Sequence, residues 1–331
     1  MNLEINNFGP INNANLELKK LNVIAGVNGS GKSTSSKLLY CFLTSISDER
    51  DFLVNKSLYD KILPIIEDLF LEFDYDAENL VHVSKVFNSI VDFSNKNFNP
   101  QIQNAINSLK NIINDSQITN KEEYIQKLND VESILEVSSA EYRKFFDVSN
   151  FLLKSEFNLQ DVSNVHVNVN QVDCEFSCGL KSNNSKIGFI INEGDLSCFD
   201  VENIIYIDSA SVFDIDFNKF SEFKNLPYHL KSLSRHLNSS KNDDVYDQEF
   251  NKKLDDMKRE FNEMMGGCIY YDNKKDEFKF KKGDNSYSMK NTASGVKQLG
   301  IIQMLLSNRN LNQNSFLIMD EPEVNLGLSK S

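Results

Sequence analysis

Gly26-Val27-Asn28-Gly29-Ser30-Gly31-Lys32-Ser33 is the stretch of sequence that decides the fold. It fits the pattern Gly-x-x-x-x-Gly-Lys-Ser/Thr of a phosphate-binding loop at every fixed position. The apolar run at residues 21–25 predicts a buried strand that leads into the loop, and residues 33–40 predict a helix that leaves it. A strand, a glycine-rich loop and a helix in this order indicate a nucleotide-binding site.

The residue types of this loop suit a chain of phosphates. Its glycines let the backbone curl until successive N–H groups point inward, and the start of the helix adds the positive end of a dipole. Lys32 is expected to reach the β- and γ-phosphates, and the Ser33 hydroxyl is expected to ligate Mg²⁺. The residues predicted to contact the nucleotide here are Gly26, Asn28, Gly29, Ser30, Gly31, Lys32, Ser33 and Thr34.

A second part of a nucleotide site lies near the end of the sequence. Residues 315–319 are an apolar run that ends in two adjacent carboxylates, Asp320 and Glu321, which is the pattern of a Walker B strand. Asp320 is expected to hold Mg²⁺ together with Ser33, while Glu321 is expected to polarise the water that attacks the terminal phosphate. Glu321 and Lys32 are therefore the predicted catalytic residues.

A third motif lies between these two. Ser294 and Gly295 precede a helical run at residues 299–306. A hydroxyl and a glycine at the start of a helix can form a second cradle for an anion. Ser294 and Gly295 therefore join the residues predicted to bind the nucleotide.

The three motifs in this order resemble the ABC-type ATPase heads of the RecF and SMC families. The resemblance covers about residues 1–45 and 160–326. The chain looks most like bacterial and archaeal RecF-like or AAA-family ATPases, whose sequences are similar to residues 291–300 and 320–326 here. The resemblance implies that the nucleotide is ATP, bound with Mg²⁺.

The resemblance also implies a site that is split between two copies of the chain. In such families the residues that match Lys32, Ser33 and Asp320 hold ATP and Mg²⁺ in one protomer. The pair that matches Ser294-Gly295 contacts the γ-phosphate from the other protomer. We therefore expect a homodimer around ATP, and, from the stand-alone ATPases of phage-defence systems, a partner such as a nuclease or toxin effector.

Two other functions stay open at this point. The chain could be an ATP-dependent clamp or scaffold with little hydrolysis, or a DNA-repair ATPase that acts on duplex ends. The charge of the protein argues against the DNA-repair ATPase, since 35 basic and 48 acidic residues give a net charge of −13. DNA binding would then require a local basic track on an acidic protein, so DNA is not the favoured partner.

The predicted fold class is α/β, a P-loop NTPase of the ABC-type head kind with a large helical insertion. Residues 1–45 and 160–331 are predicted to form the discontinuous head. Residues 46–159 form the insertion, because apolar residues recur there at helical spacing. A second helical segment is predicted within the head at residues 217–266.

In the head, apolar residues recur at the shorter spacing that is typical of strands. Two strands are expected on either side of a turn at residues 7–10, and others at residues 165–169, 186–191 and 203–208. A hairpin is expected from residues 268–271 and 277–280, with its many lysines balanced by acids.

The end of the sequence departs from the family pattern. Related heads continue beyond this point into a helix and a strand that ends in a switch histidine. Here Leu326 is followed by residues 327–331, and all four histidines precede Asp320. We therefore expect the last strands and the switch histidine of the head to be missing; whether the chain is a fragment or naturally short stays open.

Composition predicts a soluble cytoplasmic protein with no membrane partner. The first residues lack the charged and apolar regions of a signal peptide, and no apolar run is long enough to span a bilayer. Five cysteines form no paired framework, and Cys174 and Cys178 have no further ligands nearby for a zinc site. His229 and His236 are seven residues apart and are interpreted as surface residues rather than metal ligands.

Overall fold

The computed structural model describes residues 1–73, 76–90, 98–137, 141–157, 165–171, 175–183, 186–215, 226–239, 248–272, 274–275, 277–320 and 322. Its helices are α1 (Lys32–Ile46), α2 (Glu49–Glu72), α3 (Ala77–Ile90), α4 (Phe98–Asp115), α5 (Lys121–Val137), α6 (Glu141–Phe157), α7 (Tyr228–Asn238), α8 (Gln248–Met265) and α9 (Ser294–Ser307). Its strands are β1 (Asn2–Phe8), β2 (Ile11–Glu17), β3 (His166–Gln171), β4 (Phe176–Asn183), β5 (Lys186–Glu193), β6 (Asn203–Ile207), β7 (Cys268–Asp272), β8 (Glu277–Lys282), β9 (Asn285–Ser288) and β10 (Ser315–Met319).

A five-stranded sheet has the order β2-β1-β3-β4-β5, and all its neighbouring strands are antiparallel. β1 and β2 flank a turn at residues 9–10, which confirms the predicted hairpin at the start of the chain. Leu3 and Ile5 of β1 are buried, as the alternation in the sequence indicated, and Phe8 at the end of β1 is buried as well. Because β3 pairs with β1, the chain returns to its first strand after the helical region.

A second sheet contains β6 and β10, which are parallel. The predicted Walker B run is therefore a strand, and its neighbour β6 is buried along its whole length. Parallel strands end at the same edge of a sheet, so the residues that follow them meet there. The Asp320 N–H donates to the Ile207 carbonyl at 2.8 Å, which fixes the end of β10 beside the end of β6.

The third sheet has the order β7-β8-β9 and confirms the predicted lysine-rich hairpin. Its last strand, β9, was not predicted. Helix α9 packs on this sheet, where the Gln303 side chain accepts a hydrogen bond from the Ile269 N–H at 2.9 Å. A Cβ on Gly300 would lie 1.6 Å from the Ile269 Cδ1, so any larger residue at this position would force the Ile269 side chain to move.

Helices α2 to α6 occupy the region where the sequence predicted helices. The apolar stripe of α4 is buried at Phe98, Ile102, Ile106, Leu109 and Ile113, and that of α5 is buried at Tyr124, Leu128, Val131 and Leu135. Pro64 lies inside α2 without ending it. The proposed division into a head and an insertion stays a prediction, since the buried side chains of these helices belong to the same hydrophobic cluster as β1 and β3 to β5.

Phe42 of α1 shows how the phosphate-loop helix is anchored in that cluster. Its ring centroid lies 6.3 Å from that of Phe145 in α6 and 5.5 Å from that of Phe189 in β5. It is also 5.8 Å from the ring of Phe199. Buried aromatic pairs at these separations favour edge-to-face geometry and hold the elements in a defined orientation.

The predicted strand at residues 21–25 is wrong. The structure has no strand there, and the Leu21 and Val23 side chains are 84% and 86% exposed. Asn22 offers a local reason: its side chain accepts from the Lys19 N–H at 2.9 Å and donates to the Lys19 carbonyl at 2.8 Å, which closes a turn. A strand also needs a partner, and among the described residues β10 is paired only with β6.

The interpretation of His229 and His236 as surface residues is also wrong, because both are buried on α7. The spacing of two residues shows that they share one face of a helix. It does not show whether that face is buried, because this depends on what packs against it. The carboxylates that pair with them come from distant parts of the chain. Helices α7 and α8 lie within the segment at residues 217–266 that the sequence predicted to be helical, and residues 217–225 and 240–247 of that segment lie outside the described residues.

Two further findings concern the composition. Cys178 is buried in β4, whereas Cys174 lies outside the described residues. In the part of the chain that the structure describes, no helix combines the length and apolar character needed to cross a membrane.

Candidate nucleotide-binding site

The phosphate-binding loop leads directly into α1. Residues 26–30 are exposed, and α1 begins at Lys32 after Gly31, whose φ of 93° lies in the left-handed region. A Cβ on Gly31 would lie 2.4 Å from the Ile11 Cγ1, so both the backbone angle and the space require glycine. No side chain caps this end of α1, which leaves its first amides to an anion.

Lys32 folds back over the loop. Its Nζ donates to the Gly26 carbonyl at 2.8 Å and to the Val27 carbonyl at 3.1 Å. The ammonium group is therefore at the loop, where it can exchange these two carbonyls for phosphate oxygens. Of the other predicted contacts, Asn28, Gly29 and Ser30 are exposed, while Ser33 and Thr34 are half-buried in the first turn of α1.

A cavity of about 350 Å³ opens beside the loop. Its lining includes Asn12, Ala14 and Leu16 of β2, together with Ile24 and Lys32. A volume of this order lies within the range of small-molecule sites, and the lining mixes apolar and polar groups as such sites do. No pattern in the sequence points to the β2 residues, because the hairpin approaches the loop only through the tertiary fold.

Asp320 lies at the end of β10, close to α1. The Tyr206 hydroxyl of β6 is 3.3 Å from the Asp320 Oδ2 and 3.1 Å from the Ser36 Oγ of α1. Ser36 in turn contacts the carbonyl of Ser33 at 3.1 Å. The fold thus brings Asp320 to the helix that carries Ser33, although the two are far apart in the sequence.

The donor set suits the predicted metal. Mg²⁺ prefers oxygen ligands and is commonly bound by one or two carboxylates plus phosphate oxygens. The Ser33 hydroxyl and the Asp320 carboxylate are of that kind. Glu321, the predicted base, lies outside the described residues.

Ser294 is the first residue of α9. It is exposed, and its side chain makes no hydrogen bond within the described residues. Three residues further on, the Lys297 Nζ lies 2.6 Å from the Asp214 Oδ1, which ties α9 to the segment after β6. The start of α9 therefore presents a hydroxyl, Gly295 and uncapped helix amides toward solvent.

Residues 1–326 match the AAA ATPase domain family. The chain belongs to this family. The match covers nearly the whole chain and supports ATP binding and hydrolysis by a P-loop fold of mixed helices and strands. No curated protein and no solved structure is similar enough to add a second comparison.

Membership of the AAA ATPase domain family confirms the coarse prediction of a P-loop ATPase of α/β class. The individual site residues stay predictions, as do the ABC-type and RecF-like features. The structure also shows polar residues around this site that the sequence did not assign to it.

Asp208 and His229 form one such group behind Tyr206. The His229 ring lies between two carboxylates, with Nδ1 2.7 Å from the Glu156 Oε2 and Nε2 3.0 Å from the Asp208 Oδ2. Burial lowers the pKa of His229, but the hydrogen bonds to Asp208 and Glu156 outweigh it and raise the pKa above its usual value. The His229 ring centroid is 5.2 Å from that of Tyr206, so this ion-paired group supports the strand that ends at the site.

Burial also raises the pKa of Tyr206, and the charges of Asp320 and Asp208 add to the increase. The Tyr206 hydroxyl therefore keeps its proton at neutral pH and can act as a donor. The one hint in the sequence is the run at residues 203–208, where a tyrosine and an aspartate interrupt or end an otherwise apolar strand.

A second buried group joins α2 to α7. Glu49 accepts from Ser232 at 2.9 Å, and its carboxylate lies 2.6 Å from the His236 Nε2 and 3.1 Å from the Arg235 guanidinium. Burial alone would raise the pKa of Glu49, but Arg235, His236 and Ser232 more than offset it and lower the pKa from 4.5 to about 2. Glu49 is thus held as a carboxylate between the first turn of α2 and one face of α7.

Proposed function

We propose that this AAA ATPase binds ATP with Mg²⁺ at the phosphate loop, hydrolyses it, and uses the nucleotide to join two copies of the chain and control a partner protein. The observation that carries the proposal is the convergence of two distant motifs on α1. The loop supplies Lys32 and Ser33, and β10 brings Asp320 to the same helix through Tyr206 and Ser36.

The chain's own residues have distinct roles in this proposal. The backbone of residues 26–31 and the start of α1 bind the phosphates, and Lys32 moves from the carbonyls of Gly26 and Val27 to the β- and γ-phosphates. Ser33 and Asp320 hold Mg²⁺, which when bound neutralises charge on the phosphates. Glu321 accepts the proton of the attacking water. The cavity beside the loop leaves room for the nucleoside part of ATP.

Ser294 and Gly295 act on the nucleotide of the second copy, as in ABC-type heads of the RecF-like kind. The resemblance of residues 291–300 and 320–326 to those heads supports this part of the proposal. So does the exposure of Ser294, whose hydroxyl makes no hydrogen bond within the described part of its own chain.

The controlled partner is proposed to be an effector such as a nuclease or toxin in a phage-defence setting. This rests on the resemblance to stand-alone RecF-like ATPases alone. A net charge of −13 makes DNA the less favoured partner, since neutralising phosphates of DNA requires clustered lysine and arginine.

The test of hydrolysis is Glu321→Gln. An amide of the same shape cannot accept the proton, so phosphate release should fall by about 10²–10⁴-fold while ATP binding persists. Glu193→Gln is the matched control, because Glu193 is an exposed carboxylate at the end of another strand, β5. The control should release phosphate at the rate of the unaltered chain.

Two outcomes separate hydrolysis from the clamp function. A clear rate in the unaltered chain that Glu321→Gln removes supports the ATPase. If the unaltered chain and Glu321→Gln both form ATP-dependent dimers and neither releases phosphate above the buffer rate, hydrolysis is contradicted and an ATP-dependent clamp is favoured.

A further inference from the structure

Tyr206 connects the Walker B strand to the phosphate-loop helix. It pairs with Ile318 in the parallel register, and Asp320 lies two residues beyond Ile318, on the same face of the sheet. The Tyr206 hydroxyl reaches across to the Asp320 Oδ2 at 3.3 Å and to the Ser36 Oγ at 3.1 Å. One buried side chain therefore contacts a predicted metal ligand and the helix that carries the other.

The direction of these hydrogen bonds follows from the chemistry of the groups. The Tyr206 hydroxyl donates to the Asp320 Oδ2, because a carboxylate oxygen is an acceptor. The Ser36 hydroxyl donates to the Ser33 carbonyl at 3.1 Å, and the Tyr206 oxygen lies at the same distance from the Ser36 Oγ. Among the described residues the Asp320 Oδ1 makes no hydrogen bond, so the carboxylate is held by one oxygen and keeps the other for a ligand.

Tyr40 provides a comparison within the same aromatic cluster. Its ring centroid is 5.5 Å from that of Tyr206, and both side chains are fully buried. The Tyr40 hydroxyl, however, has no hydrogen-bond partner among the described residues. Burial of a tyrosine in this cluster therefore does not by itself bring its hydroxyl to a carboxylate, and of these two tyrosines only Tyr206 contacts Asp320.

We propose that Tyr206 is a positioning residue for the Mg²⁺ site. Its hydroxyl orients the Asp320 carboxylate toward the metal and fixes the distance between that carboxylate and α1. This inference rests on the proposed function, because it assumes that Asp320 holds Mg²⁺. Hydrogen-bonding partners of metal ligands typically change metal affinity by about 10–100-fold when they are removed.

The experiment measures the affinity for the analogue ATPγS by calorimetry over a series of Mg²⁺ concentrations and in EDTA. Tyr206→Phe removes only the hydroxyl and keeps the ring. In Tyr206→Phe we expect the Mg²⁺ concentration that gives half of the maximal increase in ATPγS affinity to rise about tenfold. The affinity for ATPγS in EDTA should not change. Tyr40→Phe is the matched control, since it removes a buried hydroxyl from the same cluster, and it should behave as the unaltered chain does.

The outcomes separate this inference from the proposed function. If the unaltered chain binds ATPγS equally with and without Mg²⁺, the proposed metal site is contradicted. If it responds to Mg²⁺ and Tyr206→Phe responds at the same concentrations, the role of Tyr206 is overturned. Equal shifts in Tyr206→Phe and Tyr40→Phe, with equal falls in thermal midpoint, would also overturn it, because they would report a general loss of packing.

Discussion

At the residue scale, the chemistry of the site depends on a few side chains whose positions are set by hydrogen bonds. Lys32 is held at the loop by two carbonyls, and Asp320 is held by Tyr206. Behind them, His229 is buried between two carboxylates, and Glu49 is buried beside the Arg235 guanidinium. A buried ion pair stabilises a fold only while both partners are charged, so these groups make stability depend on pH.

Glu49 provides a prediction with a defined pH window. Its pKa is about 2 in the folded chain against an ordinary 4.5, so the folded state binds fewer protons than the unfolded state between these values. The stabilisation is fully present above pH 4.5 and is lost as the pH falls toward 2. Glu49→Gln should therefore lower the free energy of unfolding at pH 7 by about 3 kcal/mol.

Urea unfolding at several pH values checks this prediction. The difference between the unaltered chain and Glu49→Gln should shrink by about 1.4 kcal/mol for each pH unit below about 4.5. Glu67→Gln, an exposed carboxylate on the same helix, should show neither the loss nor the pH dependence. A constant difference across the range would mean that Glu49 owes its effect to packing and not to its charge.

At the element scale, local patterns predicted most of the described helices and strands but not every strand. Helical spacing identified the buried stripes of α4 and α5, and alternation identified β1, because each pattern reflects which face of one element is buried. The run at residues 21–25 shows the limit of this reasoning. An apolar run becomes a strand only when a neighbour offers hydrogen bonds, and that depends on the rest of the fold.

The residues of the site likewise fall into two kinds: those that a local sequence pattern identifies and those that only the fold brings together. A short motif requires contiguous residues, so residues 26–33 and Asp320 were visible in the sequence. Tyr206, Asp208 and His229 act through contacts between distant elements, and no spacing in the sequence brings them together. Residues of this kind become visible only once β6 and β10 are known to be parallel neighbours.

At the scale of the whole molecule, the proposed action of ATP depends on two copies of the chain. The phosphate loop and Asp320 lie at α1, whereas Ser294 begins another helix and is exposed. A site divided in this way predicts that nucleotide binding and dimerisation can be separated by substitution.

Ser294→Arg should separate nucleotide binding from dimerisation. A bulky cation at the start of α9 would occupy the space for the γ-phosphate of the second copy, so ATP-driven dimers should be lost while each chain still binds ATP. Sedimentation of the Glu321→Gln chain with ATP, with and without Ser294→Arg, measures the dimer fraction. Ser286→Arg adds the same charge at an exposed position of β9, in the third sheet, and should leave the dimer intact. Equal loss of ATP binding and dimers in Ser294→Arg would show that Ser294 acts within its own chain.

The central claim is that the loop around Lys32 binds ATP, and a calorimetric titration with ATP and Mg²⁺ tests it most directly. Lys32→Ala removes the ammonium group that lies 2.8 Å from the Gly26 carbonyl, while Lys19→Ala removes an exposed lysine that pairs with Glu17 at the surface. We predict saturable binding to the unaltered chain and to Lys19→Ala, and no measurable binding to Lys32→Ala. Equal ATP affinity in all three would contradict the assignment of the site.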